Sequence, residues 1–131
     1  MSVELGYVIS YVDDVDASTG FYVDAFGLDV RFRHESGTYA ELDTGTTVLA
    51  FADNGFAAAG NGIEHNRTTP AKPPPGVSIT LITDDLAGAW KRAVGAGAVV
   101  IAEPEEKPWV QQVGHLRDID GVLVELATPV G

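Results

Sequence analysis

Apolar and polar positions along the chain follow one pattern twice. "YVISYVDDVDASTGFYVDAFGLDV", residues 7 to 30, opens with a short apolar run and meets Asp13-Asp14. Val15, Tyr22 and Phe26 then recur at helical spacing before Gly27. This pattern predicts a strand followed by a helix, with Asp14 or Asp16 as the N-cap and Gly27 as the stop. "SITLITDDLAGAWKRAVGAGAVV", residues 78 to 100, has the same layout. Here Asp84 or Asp85 is the cap, and Leu86, Trp90, Ala93 and Val94 form the apolar stripe. After each helix come three strand candidates, 28–34, 37–43 and 46–52, then 98–102, 109–117 and 122–127. "ESG", "DTG" and "DIDG" supply turns between them. The chain therefore reads as βαβββ written twice, in the α+β class.

Overlaying the halves puts Tyr7 on Ser78, Asp13-Asp14 on Asp84-Asp85 and, after a one-residue gap, Gly27 on Gly97. "YAELDTGTTVLAFA" (39 to 52) falls on "GHLRDIDGVLVELA" (114 to 127), with Asp43 on Asp118, Ala50 on Glu125 and Ala52 on Ala127. The expected organisation is one domain of two repeats, 1–53 and 77–131, joined by a linker over 54–76. That linker is rich in Gly and Ala at its front and in Pro at its end. A connection of this length is uncommon in a compact domain. It reads as a passive connector, a lid over a site or an arm around a second subunit.

The 131 residues suit a single domain with a real core, and 45% hydrophobic with 21% charged residues is a globular balance. There are no cysteines, so disulfides, thiolate metal sites and cysteine nucleophiles are excluded. A net charge of −11 disfavours nucleic acid and anionic membranes and suits a cationic guest. No apolar run approaches the ~20 residues that span a bilayer, and "MSVELGYV" lacks a basic start and apolar core. A cytoplasmic location is the resulting expectation. One residue resists this bland picture: Glu125 sits within the apolar run "GVLVELA". A carboxylate there needs a partner, a metal or water.

Two βαβββ repeats, with "RDIDG" before an apolar strand carrying Glu, resemble the vicinal oxygen chelate superfamily over essentially the whole chain. That superfamily includes glyoxalases, extradiol dioxygenases and bleomycin-resistance proteins. The resemblance implies cup-shaped half-sheets, lined by the strand faces away from the helices, and a homodimer. It also implies that metal-dependent members would hold their ion at Tyr7, Ala50, Ser78 and Glu125. Divalent ions need several converging nitrogen or carboxylate donors. Of these four only Glu125 is a good ligand, so no metal and no cofactor is expected. A displaced set of His34, His115 and Glu125 is an alternative.

Alternation puts Trp109, Gln111, Val113, His115 and Arg117 on one strand face and Val110, Gln112, Gly114 and Leu116 on the other. The resemblance turns His115 into the cup, and Trp109 follows by parity. In the first half, Phe32 and His34 alternate against Arg31 and Arg33, which read as solvated. Tyr39 falls at the same rim, and Phe56 on the linker is placed to close over a ligand. The candidate ligand-binding set is therefore Tyr7, Phe32, His34, Tyr39, Phe56, Trp109, Gln111, Val113, His115 and Glu125, with no catalytic residue assigned. Val122, Val124 and Leu126 are expected on the helix side, Phe51 in the core, and Tyr22 and Trp90 in packing. Glu64-His65 is a weak signal.

Among the superfamily, the metal-free bleomycin-resistance branch resembles this chain most in character. The resemblance implies a protein that sequesters a bulky aromatic or cationic antibiotic, bleomycin-, mitomycin- or enediyne-like, or a similar aromatic metabolite. The alternative is a metal-independent lyase, isomerase or cyclase with His115 and Glu125 as its acid–base pair.

Overall fold

The computed structural model describes Met1–Gly131, with the side chains of residues 57–59 outside the description. The chain forms two compact units, Met1–Val23 with Gly27–Arg67, and Asp24–Phe26 with Thr68–Gly131. Each contains a four-stranded sheet, and the element order is βαβββ in both, as the repeated pattern predicts.

In the first unit β1 (Tyr7–Val12) leads into α1 (Val15–Phe26), followed by β2 (Asp29–Arg33), β3 (Tyr39–Asp43) and β4 (Val48–Asp53). The Asp14 carboxylate caps α1 by accepting from the Ala17 amide at 3.0 Å, and Gly27 ends the helix with φ 68°. The sheet order is β1-β4-β3-β2, with β1 parallel to β4 and the other pairs antiparallel. One sheet face is closed by α1: Tyr22 and Phe51 are fully buried with ring centroids 5.1 Å apart, and Leu42 and Leu49 fill the same layer. The other face carries Ile9, Tyr11, Ala50, Ala52, Glu41 and Tyr39, as the pairing Ile9↔Ala50↔Glu41 and Tyr11↔Ala52↔Tyr39 requires.

A further helix, α2 (Asn54–Asn61), follows β4 without a break. The periodicity does not announce it, because its residues are mostly Gly, Ala and Asn. The Asp53 side chain starts it by accepting from the Phe56 amide at 3.0 Å.

The second unit runs β5 (Ser78–Ile82), α3 (Leu86–Gly95), β6 (Val99–Lys107), β7 (Gln111–Arg117) and β8 (Leu123–Ala127), in sheet order β5-β8-β7-β6. Asp85 caps α3 by accepting from the Gly88 amide at 3.1 Å. Val122, Val124, Leu126 and Leu116 are buried, and a methyl added at Gly114 would enter the Trp90 ring. The helix side of this sheet is therefore the face that alternation assigns to Gly114 and Leu116.

Three expectations fail here. Val94, placed on the apolar stripe of α3, is 40% exposed. Strand β6 continues to Lys107 past Pro104; it is an edge strand, where a missing N–H is tolerated. Trp109 is not in a strand, since residues 108–110 form a turn and β7 starts at Gln111. Parity therefore cannot place it.

The connector is fastened within each unit separately. In the first, Arg67 Nη1 donates to Asp13 Oδ1 at 3.1 Å. In the second, the Arg117 guanidinium donates to the carbonyls of Gly121, Thr69 and Lys72 at 2.9, 3.1 and 2.8 Å. Among the described residues no helix is long and apolar enough to cross a membrane.

Candidate functional site

The open face of the first-unit sheet has a floor of small side chains. Ala50 and Ala52 on β4 carry only methyl groups, and their neighbours on both sides are large: Ile9 and Tyr11 on β1, Glu41 and Tyr39 on β3. Helix α2 adds Phe56 and Asn61 as a wall, and the turn between β2 and β3 adds His34, Ser36 and Thr38. Together with Ile9, Tyr11, Tyr39 and Ala52 these residues enclose a pocket of about 490 Å³.

Its polar groups are held by short bonds. The Ser36 amide donates to His34 Nδ1 at 3.1 Å, so that nitrogen is an acceptor and Nε2 carries the proton of the neutral ring. Ser36 Oγ lies 2.7 Å from both His34 Nδ1 and Thr38 Oγ1. Tyr39 Oη donates to Glu41 Oε2 at 2.7 Å. Burial first, then that hydrogen bond and the Glu41 charge, push the Tyr39 phenol well above its ordinary value.

Behind the pocket a polar relay holds the segment after α2. Asp13 Oδ1 accepts from Asn54 Nδ2 at 2.9 Å, so Asn54 turns its carbonyl oxygen to His65 Nε2 at 2.7 Å. His65 then donates through Nε2, and its ring leans on Tyr11 with centroids 5.1 Å apart. Asn54 is 2% exposed, and this relay is what satisfies its amide.

In the second unit the strand pairing places Thr80, Glu125 and His115 in one row across β5, β8 and β7. Thr80 Oγ1 donates to Glu125 Oε2 at 3.0 Å, and His115 Nε2 lies 3.2 Å from Glu125 Oε1. Both side chains are about 30% exposed, at 31% and 28%. The carboxylate inside an apolar strand thus has two partners and access to water. Gln111 lines a more open hollow of about 380 Å³ with Asp84, Glu106 and Thr128.

The candidate residues divide accordingly. His34, Tyr39 and Phe56 line the first-unit pocket. Phe32 stands beside them, its centroid 6.4 Å from both His34 and Tyr39. Tyr7, two residues before Ile9, is 51% exposed on the same strand face. In the second unit His115 and Glu125 meet, while Val113 is buried beside Ala127. Trp109 stands at the turn before β7, its indole N–H donating to Gln111 Oε1 at 2.6 Å.

Tyr11, Glu41, Asn54 and His65 were not legible as site residues. Tyr11 shares the β1 alternation with Tyr7 and offered a usable signal; His65 offered only its neighbour Glu64. Arg31 is half in solvent, as expected, and also comes within 3.6 Å of Glu41; a register shift between Val30 and Phe32 breaks the alternation of β2 beside it.

The four positions that the resemblance assigns to a metal do not suit one. Ala50 is a fully buried methyl, Tyr7 and Ser78 present neutral hydroxyls, and Glu125 is engaged by Thr80 and His115. Among the described residues no three His, Asp or Glu side chains gather in a group able to hold an ion. Of the displaced set, His115 and Glu125 meet within the second unit, and His34 belongs to the first.

Solved structures share this architecture. A glyoxalase-related enzyme from Fulvimarina pelagi aligns with TM-score 0.81 and 21% identity, covering 98% of this chain and 92% of that one. A glyoxalase/bleomycin resistance protein/dioxygenase family enzyme from Burkholderia phytofirmans PsJN aligns at 0.75 with 20% identity, covering 96% and 98%. TioX from Micromonospora sp. ML1 aligns at 0.72 with 22% identity, also covering 96% and 98%. No curated protein matches the sequence. Residues 4–126 match the profile of the Glyoxalase/Bleomycin resistance protein/Dioxygenase superfamily, and the chain belongs to that family.

Proposed function

We propose that the protein binds and sequesters a bulky aromatic natural-product antibiotic, of bleomycin, mitomycin or enediyne type, without transforming it. It would do so in the cytoplasm, as a homodimer and with no cofactor. The observation that carries this reading is the pocket of about 490 Å³ bounded by Tyr11, Tyr39, Phe56 and His34. Its volume lies within the range of small-molecule sites, and its rings suit flat guests. Pairing of subunits is supported by the edge strand β6, which leaves Val99, Val100 and Ile101 exposed.

Calorimetric titration of metal-analysed protein against a panel of aromatic antibiotics tests the proposal. Wild-type protein should bind at least one and return it chemically intact. Phe56→Ala should weaken that binding roughly tenfold, the scale of a lost aromatic contact with its buried area. Equal affinity of wild type and variant would sink the pocket assignment.

A second reading rests on the 3.2 Å contact of His115 with Glu125 in a partly exposed row. There the pair would act as acid and base on a small substrate, without metal. A ligand recovered altered, with the change abolished by Glu125→Gln, would favour this reading over sequestration.

A further inference from the structure

The first-unit face carries a charge that its neighbours do not fully satisfy. The Glu41 side chain is 12% exposed, yet it lies on the open face of the sheet, level with Ala50 and Phe32. Its Oε2 accepts from the Tyr39 hydroxyl at 2.7 Å. Its Oε1 faces Arg31 Nε at 3.6 Å, beyond hydrogen-bond reach, and the Arg31 side chain is 50% exposed. A carboxylate accepts several hydrogen bonds, and among the described residues no buried side-chain oxygen lacks a partner, so Oε1 keeps an edge open to solvent. Among the described residues Glu41 has one such bond and one loose ion pair. The bulge in β2 is what turns Arg31 onto this face at all.

The carboxylate also adjoins the pocket. Tyr39 both lines the cavity and donates to Glu41. The row Ile9–Ala50–Glu41 lies one pleat repeat from the row Tyr11–Ala52–Tyr39, a spacing of roughly 6.6–6.8 Å. A fused three-ring system seated over Ala52, between Tyr11 and Tyr39, is longer than that spacing and reaches the row of Glu41.

We infer that Glu41 is the recognition carboxylate for a cationic group on a planar guest of this pocket, and that Arg31 is the counter-ion it displaces. The inference rests on the binding reading above and narrows its guest to flat aromatic amines that are protonated in water. Arg31 can leave because it is half in solvent and loosely paired, so its release costs little. An ammonium or amidinium on the guest supplies the shorter, charge-assisted bonds that Oε1 lacks. The surplus of acid over the whole chain favours the approach of such a guest.

Two acridines with one ring skeleton test this by calorimetry: 9-aminoacridine, cationic at neutral pH, and acridone, neutral. Wild type should prefer the cation. Glu41→Gln should weaken 9-aminoacridine roughly tenfold, the scale of a lost charge-assisted bond, and leave acridone within about twofold. Arg31→Gln should tighten the cation, since its competitor is gone; a purely structural ion pair would make both variants weaker. Retained binding of both dyes with no effect of Glu41→Gln overturns the inference and leaves the pocket reading standing. A folded wild type that binds neither dye overturns both.

Discussion

Glu41 and Glu125 lie on different strands of corresponding rows, Ile9–Ala50–Glu41 and Thr80–Glu125–His115, and each is a carboxylate on an open strand face, held by a hydroxyl and a basic side chain. Glu125 has Thr80 and His115; Glu41 has Tyr39 and Arg31. The Tyr39 phenol bears the consequence of its neighbour. Burial and the bond to Glu41 favour its protonated form, so its folded value lies above the ordinary 10.0. A raised value of this kind adds stability in full below about pH 10, and that stability is lost as pH rises beyond it. Tyr39→Phe should therefore flatten the alkaline fall in stability, measured as denaturation midpoints across the alkaline range. Superimposable alkaline limbs for wild type and variant would show that the phenol ionises alike in folded and unfolded chains.

Among the elements, α3 and β7 meet most closely where Trp90 lies on Gly114. There is no room for a side chain at that position. Gly114→Ala should destabilise the fold by roughly 1–3 kcal/mol, the scale of overpacking in a filled core, visible as a lower urea midpoint. An unchanged midpoint would mean that Trp90 moves aside freely. The helices, their caps and most strands were legible because caps and periodicity are local. The site was less so, and the overlay of the repeats explains part of it. Matching Asp43 to Asp118 sets Glu41 on Leu116, a helix-facing residue. The actual pairing sets Glu41 opposite Ala50 and His115 opposite Glu125. The β7–β8 connection is one residue longer than the β3–β4 connection, and a slip of one residue in a strand exchanges its faces. Trp109 was misplaced by a related error, since alternation was carried into a turn. Val110 there has φ 60°, a conformation that β-branched residues rarely adopt. Helix α2 escaped because Gly, Ala and Asn give no apolar stripe to read.

Over the whole molecule, 19 acidic side chains face 8 basic ones. The ion pairs Arg33–Asp16, Arg67–Asp13 and Lys107–Glu105 are surface pairs of small worth, so self-repulsion is the larger electrostatic effect. Raising ionic strength from about 0.01 to 0.15 M shortens the Debye length from roughly 30 to 8 Å. The melting temperature should rise over that interval in scanning calorimetry; a fall would show that the ion pairs outweigh the repulsion.

The alanine floor has a bearing on how such a protein changes over generations. Ala52 lines the pocket and sits between Tyr11 and Tyr39 on a strand whose opposite face is core. Its side chain touches the cavity, while its backbone does the work of holding the sheet. The depth of the mould is thus encoded separately from the frame that carries it. A single codon at position 52 can enlarge or reduce the side chain, and with it what fits, while the strand pairing, both helix caps and the buried Tyr22–Phe51 contact stay as they are.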